Sequence, residues 1–243
     1  MKNLASILRV VAFSFVIVIA ASSAAMADFY WESVQQTKGM PGRPDETINV
    51  KNYLTPYASR SDRAGHITIF NFDTKTMIQI DPATKTYHQM NLDEMGNPPG
   101  MNAGGNNQMR QQAMKNMMGS MKVTPTQETR TIDGYHCQKY LVSGMMMNSE
   151  YWLSKDVKGY AEMKQIARKV SGVFEQNPMM KQMNIAGMMS QLDGFPVEMT
   201  MKIMDGTSTT TLKKIENRTL DKSLFSIPAG YTLVKDPMPM MSK

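Results

Sequence analysis

The sequence predicts a mainly β (α+β) fold, an antiparallel sheet with helices packed on one face. Short segments that alternate apolar and polar residues are joined by tight turns, for example at residues 73–75 and at the Asp205-Gly206 pair, which is the pattern of antiparallel hairpins. The longest stretch of helical periodicity lies between two blocks of strands. Because strands and helices do not alternate along the chain, a parallel sheet is not expected.

The first 27 residues have the pattern of a signal peptide. Lys2 and Arg9 precede an apolar run at 10–20, and a small-x-small motif ends at Ala27. The run is too short for a typical membrane-spanning helix, and this three-part pattern is typical of a cleaved secretory signal. We therefore expect cleavage between Ala27 and Asp28 and a periplasmic or secreted protein.

Strands are expected throughout the next segment, before the pattern breaks. The alternating runs that predict them are residues 29–35, 46–54, 57–62, 66–72, 76–80 and 86–90. Residues 95–121 are then rich in Gly, Asn and Met, which predicts an insertion that leaves the sheet. Within it, the spacing of Met114, Met117, Met118 and Met121 predicts a short amphipathic helix.

A central hairpin follows the insertion. A strand is expected at 122–131, and the turn at Asp133-Gly134 begins a second strand at 135–142, which returns as 147–153. Aromatic and β-branched residues in strict alternation are typical of half-buried strands. Cys137, the only cysteine, lies in this hairpin, so no internal disulfide can form and we expect the thiol to be buried.

The helical stretch and the closing strands complete the chain. Apolar residues spaced by three and four between Tyr160 and Phe174 predict a helix, and Asn177-Pro178 should begin a second one that runs through Met189. Strands are expected at 197–203 and 208–215, with a short edge strand at 224–228. Residues 28–235 are thus expected to form one domain, with the insertion at 95–121 and a flexible tail at 236–243.

No residues form a common catalytic motif, so we expect a protein that is not an enzyme and has no cofactor. His66, His88 and His136 are far apart in sequence and each lies in a predicted strand. The chain has a net charge of +6 but no basic run with interleaved aromatic residues, so no nucleic-acid partner is expected.

Methionine is the one compositional extreme, with 27 residues. Three interpretations are open. Methionine can serve as core and linker filler, or as an adaptable surface for apolar ligands, because its side chain is flexible. Its soft sulfur also suits Cu(I), for which Met117, Met118 and Met121 are the candidate ligands.

Four motifs occur in an order that resembles a known family. They are Ile132-Asp133-Gly134-Tyr135-x-Cys137-x-Lys139-Tyr140, Tyr151-Trp152, Gly194-Phe195-Pro196-Val197 and Phe225-x-Ile227-Pro228-x-Gly230-Tyr231. Together they resemble a secreted bacterial family, domain of unknown function 4412, which is similar to the LolA/LolB-type lipoprotein carriers. The resemblance implies a curved antiparallel sheet, an unclosed LolA-like half-barrel, with residues 158–192 as a helical lid on its concave face.

The leading functional hypothesis is the binding of a lipid or acyl chain in that half-barrel. The candidate lining residues are Trp31, Trp152, Val197, Met199 and Met201. The alternatives are a methionine-based Cu(I)-binding protein, which would use the three methionines of the insertion, and an envelope module that docks a partner protein.

Overall fold

The computed structural model describes residues 27–42, 44–94, 122–144, 147–182, 184–203 and 205–234. Within this part of the chain, all strands belong to one twelve-stranded sheet. The insertion at 95–121, the tail at 236–243 and the signal segment other than Ala27 lie outside the described residues. The domain boundaries therefore stay a prediction.

Six strands precede the insertion. They are β1 (Phe29–Lys38), β2 (Glu46–Leu54), β3 (Ala58–Arg63), β4 (His66–Asn71), β5 (Thr76–Asp81) and β6 (Thr86–Asn91). Six strands follow it. They are β7 (Lys122–Ile132), β8 (Tyr135–Ser143), β9 (Met147–Ser154), β10 (Phe195–Ile203), β11 (Gly206–Asn217) and β12 (Thr232–Leu233).

The sheet is unclosed, with the order β12-β6-β5-β4-β3-β2-β1-β11-β10-β9-β8-β7. Its pairings are antiparallel except that of β12 with β6, which is parallel. The predicted central hairpin is present as β8 and β9, in which Gln138 pairs with Leu153 and Ser143 with Asn148. The mainly β fold with an unclosed antiparallel sheet is therefore confirmed.

Three α-helices connect β9 to β10. They are α1 (Tyr160–Gln176), α2 (Pro178–Gln182) and α3 (Ile185–Gln191). The first is as predicted. The second predicted helix is instead two short ones, because Asn184 has a left-handed backbone conformation, with φ of 52°, that interrupts the helix before Ile185. Within the described part of the chain, no helix is both long and apolar enough to cross a bilayer.

The prediction of an edge strand at 224–228 is wrong. Residues Lys222–Phe225 form a 3₁₀-helix, whose start is capped where the Asp221 carboxylate accepts a hydrogen bond from the backbone N–H of Ser223 over 2.8 Å. The Phe225 side chain is buried. The last strand is Thr232–Leu233, which extends the sheet next to β6.

The two faces of the sheet are covered by different segments. On one face, Phe29, Phe70 and Phe72 pack with Met163 and Ile166 of α1. On the opposite face, the C-terminal segment covers the early strands, since Leu220 and Phe225 belong to one cluster with residues of β1 to β5. Those residues are Tyr30, Tyr53, Ala58, Ile69 and Ile80. The molecule thus has a helix-covered face and a face covered by its C-terminal segment.

A smaller core lies at the β7–β9 end of the sheet. Val123, Tyr140 and Val142 form it with Leu153, and Leu192, which follows α3, packs against it. Cys137, nearby on β8, is fully buried as predicted. Burial raises the pKa of its thiol, because the thiolate loses solvation.

Candidate functional site: a groove between two helices

A cavity of about 750 Å³ lies between α1 and α3. Its size is within the usual range of small-molecule sites, roughly 300–1,000 Å³. It lies beside α1 rather than beneath it, because the contact between α1 and the sheet is filled by buried side chains such as Ile166, which is 1% exposed. We refer to this cavity as the groove.

Small side chains on both walls leave the space open. On α1, Ala167, Ser171 and Gly172 face the groove, and on α3, Ala186 and Gly187 do so. Residues four positions apart lie on one side of a helix, so Ala167 and Ser171 form a strip along α1, with Gly172 beside it. Ala186 and Gly187 are adjacent in sequence and are the small residues of the α3 wall.

The floor of the groove is apolar. Leu54 at the end of β2 and the Phe195-Pro196 pair at the start of β10 form it together with Leu192. The Phe195 ring is supported by Trp31, whose ring meets it edge to face with 5.5 Å between centroids. Such aromatic pairs add directional stability to the packing, so the floor is a firm apolar surface.

One end of the groove carries a network of charges on Asp193. The Asp193 carboxylate accepts hydrogen bonds from the Tyr160 hydroxyl at 2.9 Å and from Lys164 Nζ at 2.6 Å, and Lys155 Nζ is 2.5 Å from its second oxygen. The ammonium groups of Lys155 and Lys164 hold the pKa of Asp193 well below its usual range. Burial, and then the bond to Asp193, raise the pKa of Tyr160. Asp193 is therefore ionised at neutral pH.

The start of α1 is fixed by close packing against β1. Gly159, which precedes the helix, has φ of +81°, and a Cβ placed on it would come within 2.3 Å of the Phe29 ring. Only glycine combines this backbone conformation with this approach at little cost.

Polar contacts fix the rest of α1. Lys169 Nζ lies 2.7 Å from Asp73 and 2.9 Å from the Pro56 carbonyl oxygen. Beyond the end of the helix, the buried Asn177 donates from Nδ2 to the Leu92 carbonyl oxygen over 2.6 Å. The α1 wall is thereby tied to the turns of the early strands.

The five residues predicted to line the ligand site do not border the groove, and they do not all share one face. Val197 is fully buried next to the floor, and Met199 and Met201 are half-buried further along β10. Trp31 lies under Phe195. Trp152 belongs to the same buried cluster as Phe195 and Val197, and the Arg130 guanidinium stacks on its ring at 4.0 Å. Its pairing with Glu198 puts it on the face opposite Met199. Whether any of the five contacts a ligand stays a prediction.

The candidate copper ligands Met117, Met118 and Met121 lie outside the described residues. In the described ranges, no group of three or more His, Cys, Asp or Glu side chains is placed to hold a metal ion.

Sequence reasoning missed the groove residues because it followed the large apolar side chains. The available signal was the small residues of both walls, Ala167, Ser171 and Gly172 on one and Ala186 and Gly187 on the other, within segments already predicted to be helical. A helix that presents small residues toward a neighbouring helix either packs closely against it or leaves a gap. Sequence alone does not distinguish these outcomes.

Comparison with curated proteins gives no match. Among solved structures, PNGF-II is similar with a TM-score of 0.42 at 13% identity, over 85% of this chain but only 30% of PNGF-II. A LolA superfamily protein from Nitrosomonas europaea has a TM-score of 0.34 at 10% identity, over 83% of this chain and 90% of that protein. The lipoprotein LppX of Mycobacterium tuberculosis has a TM-score of 0.35 at 11% identity, over 82% and 90%.

A family model described as a domain of unknown function, DUF4412, matches residues 49–231. This range begins in β2 and includes all three helices, the groove and the C-terminal segment up to Tyr231. The match extends over more than half of the chain, and the protein therefore belongs to the DUF4412 family.

Proposed function

We propose that the protein is a non-enzymatic binding protein of the bacterial periplasm, or a secreted one, that holds a lipid or acyl chain in the groove. The observation that carries this proposal is the groove itself, a cavity of about 750 Å³ with an apolar floor. It is bordered by exposed apolar atoms, including those of Ala167 and Pro196.

An acyl chain would gain free energy by covering this surface. Each methylene that leaves water contributes about 0.8 kcal/mol, and the Leu54, Phe195 and Pro196 side chains offer a continuous apolar contact. The half-buried Met189 on α3 adds an unbranched side chain that can adapt to the shape of the ligand.

The other parts of the proposal rest on the sequence. The pattern at residues 1–27 is that of a secretory signal, which supports a location outside the cytoplasm. The chain has none of the common catalytic motifs, which supports binding rather than catalysis.

The test is to export the protein from its full-length gene, identify co-purifying lipid by native mass spectrometry and titrate the protein with a fluorescent fatty acid. A matched pair of variants locates the site. Ala167→Trp fills the groove, whereas Ala161→Trp places the same ring on an exposed position of α1 outside it. We expect A167W to weaken binding by at least about tenfold, a change of 1.4 kcal/mol, and A161W to leave it unchanged.

Two results would contradict the proposal. Wild-type protein that purifies without lipid and does not bind the fatty acid would remove lipid binding altogether. If A167W binds the fatty acid as tightly as wild-type protein does, the ligand site lies outside the groove.

A further inference from the structure

We infer that the groove binds an anionic amphiphile, a molecule with an acyl chain on the apolar floor and an acidic group paired with Arg168. This inference rests on the proposed function and specifies the chemical class of its ligand. It is carried by the distribution of charge along α1, where one cation beside the groove is left without an acidic partner among the described residues.

Three cationic side chains lie on α1. Lys164 pairs with Asp193 at 2.6 Å and Lys169 pairs with Asp73 at 2.7 Å. Arg168 is exposed and borders the groove, and no carboxylate of the described residues lies within 4.0 Å of its guanidinium. The acidic residue that shares this side of the helix, Glu175, is seven positions later, about 10 Å along the axis.

The neighbouring network adds positive charge rather than neutralising Arg168. Lys155 and Lys164 share the single carboxylate of Asp193, which also accepts from the Tyr160 hydroxyl. Two ammonium groups and one carboxylate leave a net charge of +1 on this network, one helical turn from Arg168. Both cationic centres therefore attract an anion toward the same end of the groove.

Arginine suits a carboxylate or a phosphate because its planar guanidinium donates two parallel hydrogen bonds to either group. An isolated exposed arginine is ordinarily just solvated. Arg168 differs from that case because it stands at the edge of an apolar cavity, so a ligand can use the floor and the guanidinium together. A fatty acid and a lysophospholipid both present this combination.

The experiment compares ligands that share a chain and differ in headgroup. Oleate, oleyl alcohol and oleoyl lysophosphatidate are titrated calorimetrically into wild-type protein, Arg168→Gln and the control Arg63→Gln, whose arginine is exposed at the end of β3. We expect R168Q to weaken oleate binding about tenfold, the effect of one charge-assisted hydrogen-bonded pair. Oleyl alcohol should bind equally to all three proteins, and R63Q should behave as wild type.

The lysophosphatidate arm distinguishes the source of the anion. If lysophosphatidate binds more tightly than oleate and R168Q abolishes that advantage, the headgroup is a phosphate. If lysophosphatidate binds more weakly than oleate and R168Q weakens oleate binding, the headgroup is a carboxylate. Inorganic phosphate alone should not displace oleate, since the chain supplies most of the affinity; displacement would overturn the amphiphile and leave a bare anion site.

Two further outcomes overturn the inference. An equal loss of oleate and oleyl alcohol in R168Q, or no loss of either, would show that the charge of Arg168 does not select the ligand, while lipid binding in the groove would still stand. If wild-type protein binds neither oleate nor oleyl alcohol, the proposed function itself is contradicted.

Discussion

The two walls of the groove differ in how firmly they are held. α1 buries Met163, Ile166 and Val173, and the Phe174 ring stacks on Phe70 with 5.9 Å between centroids. α3 is seven residues long, and among its described residues only Ala186 is buried. Since burial of apolar side chains supplies most of the stability of a packed helix, the α1 wall contributes to the core and the α3 wall contributes little.

Polar contacts show the same contrast. Lys169 ties α1 to the Asp73 carboxylate. Asn177, which follows the end of α1, donates a hydrogen bond to the Leu92 carbonyl oxygen. The side-chain hydrogen bonds found for α3, from Ser190 and Gln191, both end on the Gly187 carbonyl within the same helix. We therefore expect the groove to have one fixed wall and one that opens locally at low free-energy cost, as weakly packed segments do.

The largest expected effect is at the centre of the fixed wall. Ile166 is 1% exposed, so Ile166→Ala should leave a cavity and lower the free energy of unfolding by about 2–5 kcal/mol. Met189→Ala, at a half-buried position of α3, should cost about 1 kcal/mol or less. Urea unfolding followed by circular dichroism measures both. Equal losses would show that the walls do not differ.

The start of α1 offers a second comparison with one substitution at two positions. Gly159→Ala should lower the free energy of unfolding by about 3 kcal/mol, because alanine is strained at a positive φ and its methyl group would overlap the Phe29 ring. Gly172→Ala, within α1 with nothing within 4 Å of the added carbon, should stabilise by about 0.5–1 kcal/mol. We expect the thermal midpoint to fall in G159A and to rise in G172A. A lower midpoint in both variants would contradict this prediction.

Asn177 separates the fixed wall from the looser one. Its side chain is fully buried, donating to Leu92 O and accepting from the Met180 N–H at 2.9 Å. Asn177→Ala should cost about 2 kcal/mol, since it leaves both groups without a partner. Asn177→Ser should cost less, because serine keeps the capping acceptor. Hydrogen exchange should show faster opening of α2 and α3 in both variants; unchanged exchange would mean that Asn177 does not anchor them.

Local patterns predicted most of the fold. The β8–β9 hairpin and α1 follow from alternation and from three- and four-residue spacing, which depend only on neighbours in sequence. The strand prediction for 224–228 failed because Phe225 packs on the far face of the sheet against Tyr57, with 5.7 Å between ring centroids. A contact across so many residues leaves no local signal.

The site was less predictable than the fold for two physical reasons. Alternation shows which residues of one strand share a side, but only the register between two strands shows which side of one strand matches which side of the other. Glu198 of β10 pairs with Trp152 of β9, so Trp152 lies on the face opposite Met199. The groove depends on the distance between α1 and α3, which is a property of packing and not of either helix alone.

The smallest expected effect is electrostatic, at the polar end of the groove. Asp193→Asn removes the pairs with Lys155 and Lys164, and because the carboxylate is 37% exposed we expect a loss at pH 7 of about 1 kcal/mol or less. The folded pKa of Asp193 is lowered from an unfolded value of about 3.9, so its contribution to stability is complete above that pH. It disappears as the pH falls from about 4 through the folded pKa. Unfolding at pH 7 and at pH 3, with the exposed Glu162→Gln as control, should show a difference between wild type and D193N that shrinks in acid. A difference that grows in acid would reverse the sign of this linkage and show that Asp193 is not held ionised by the two lysines.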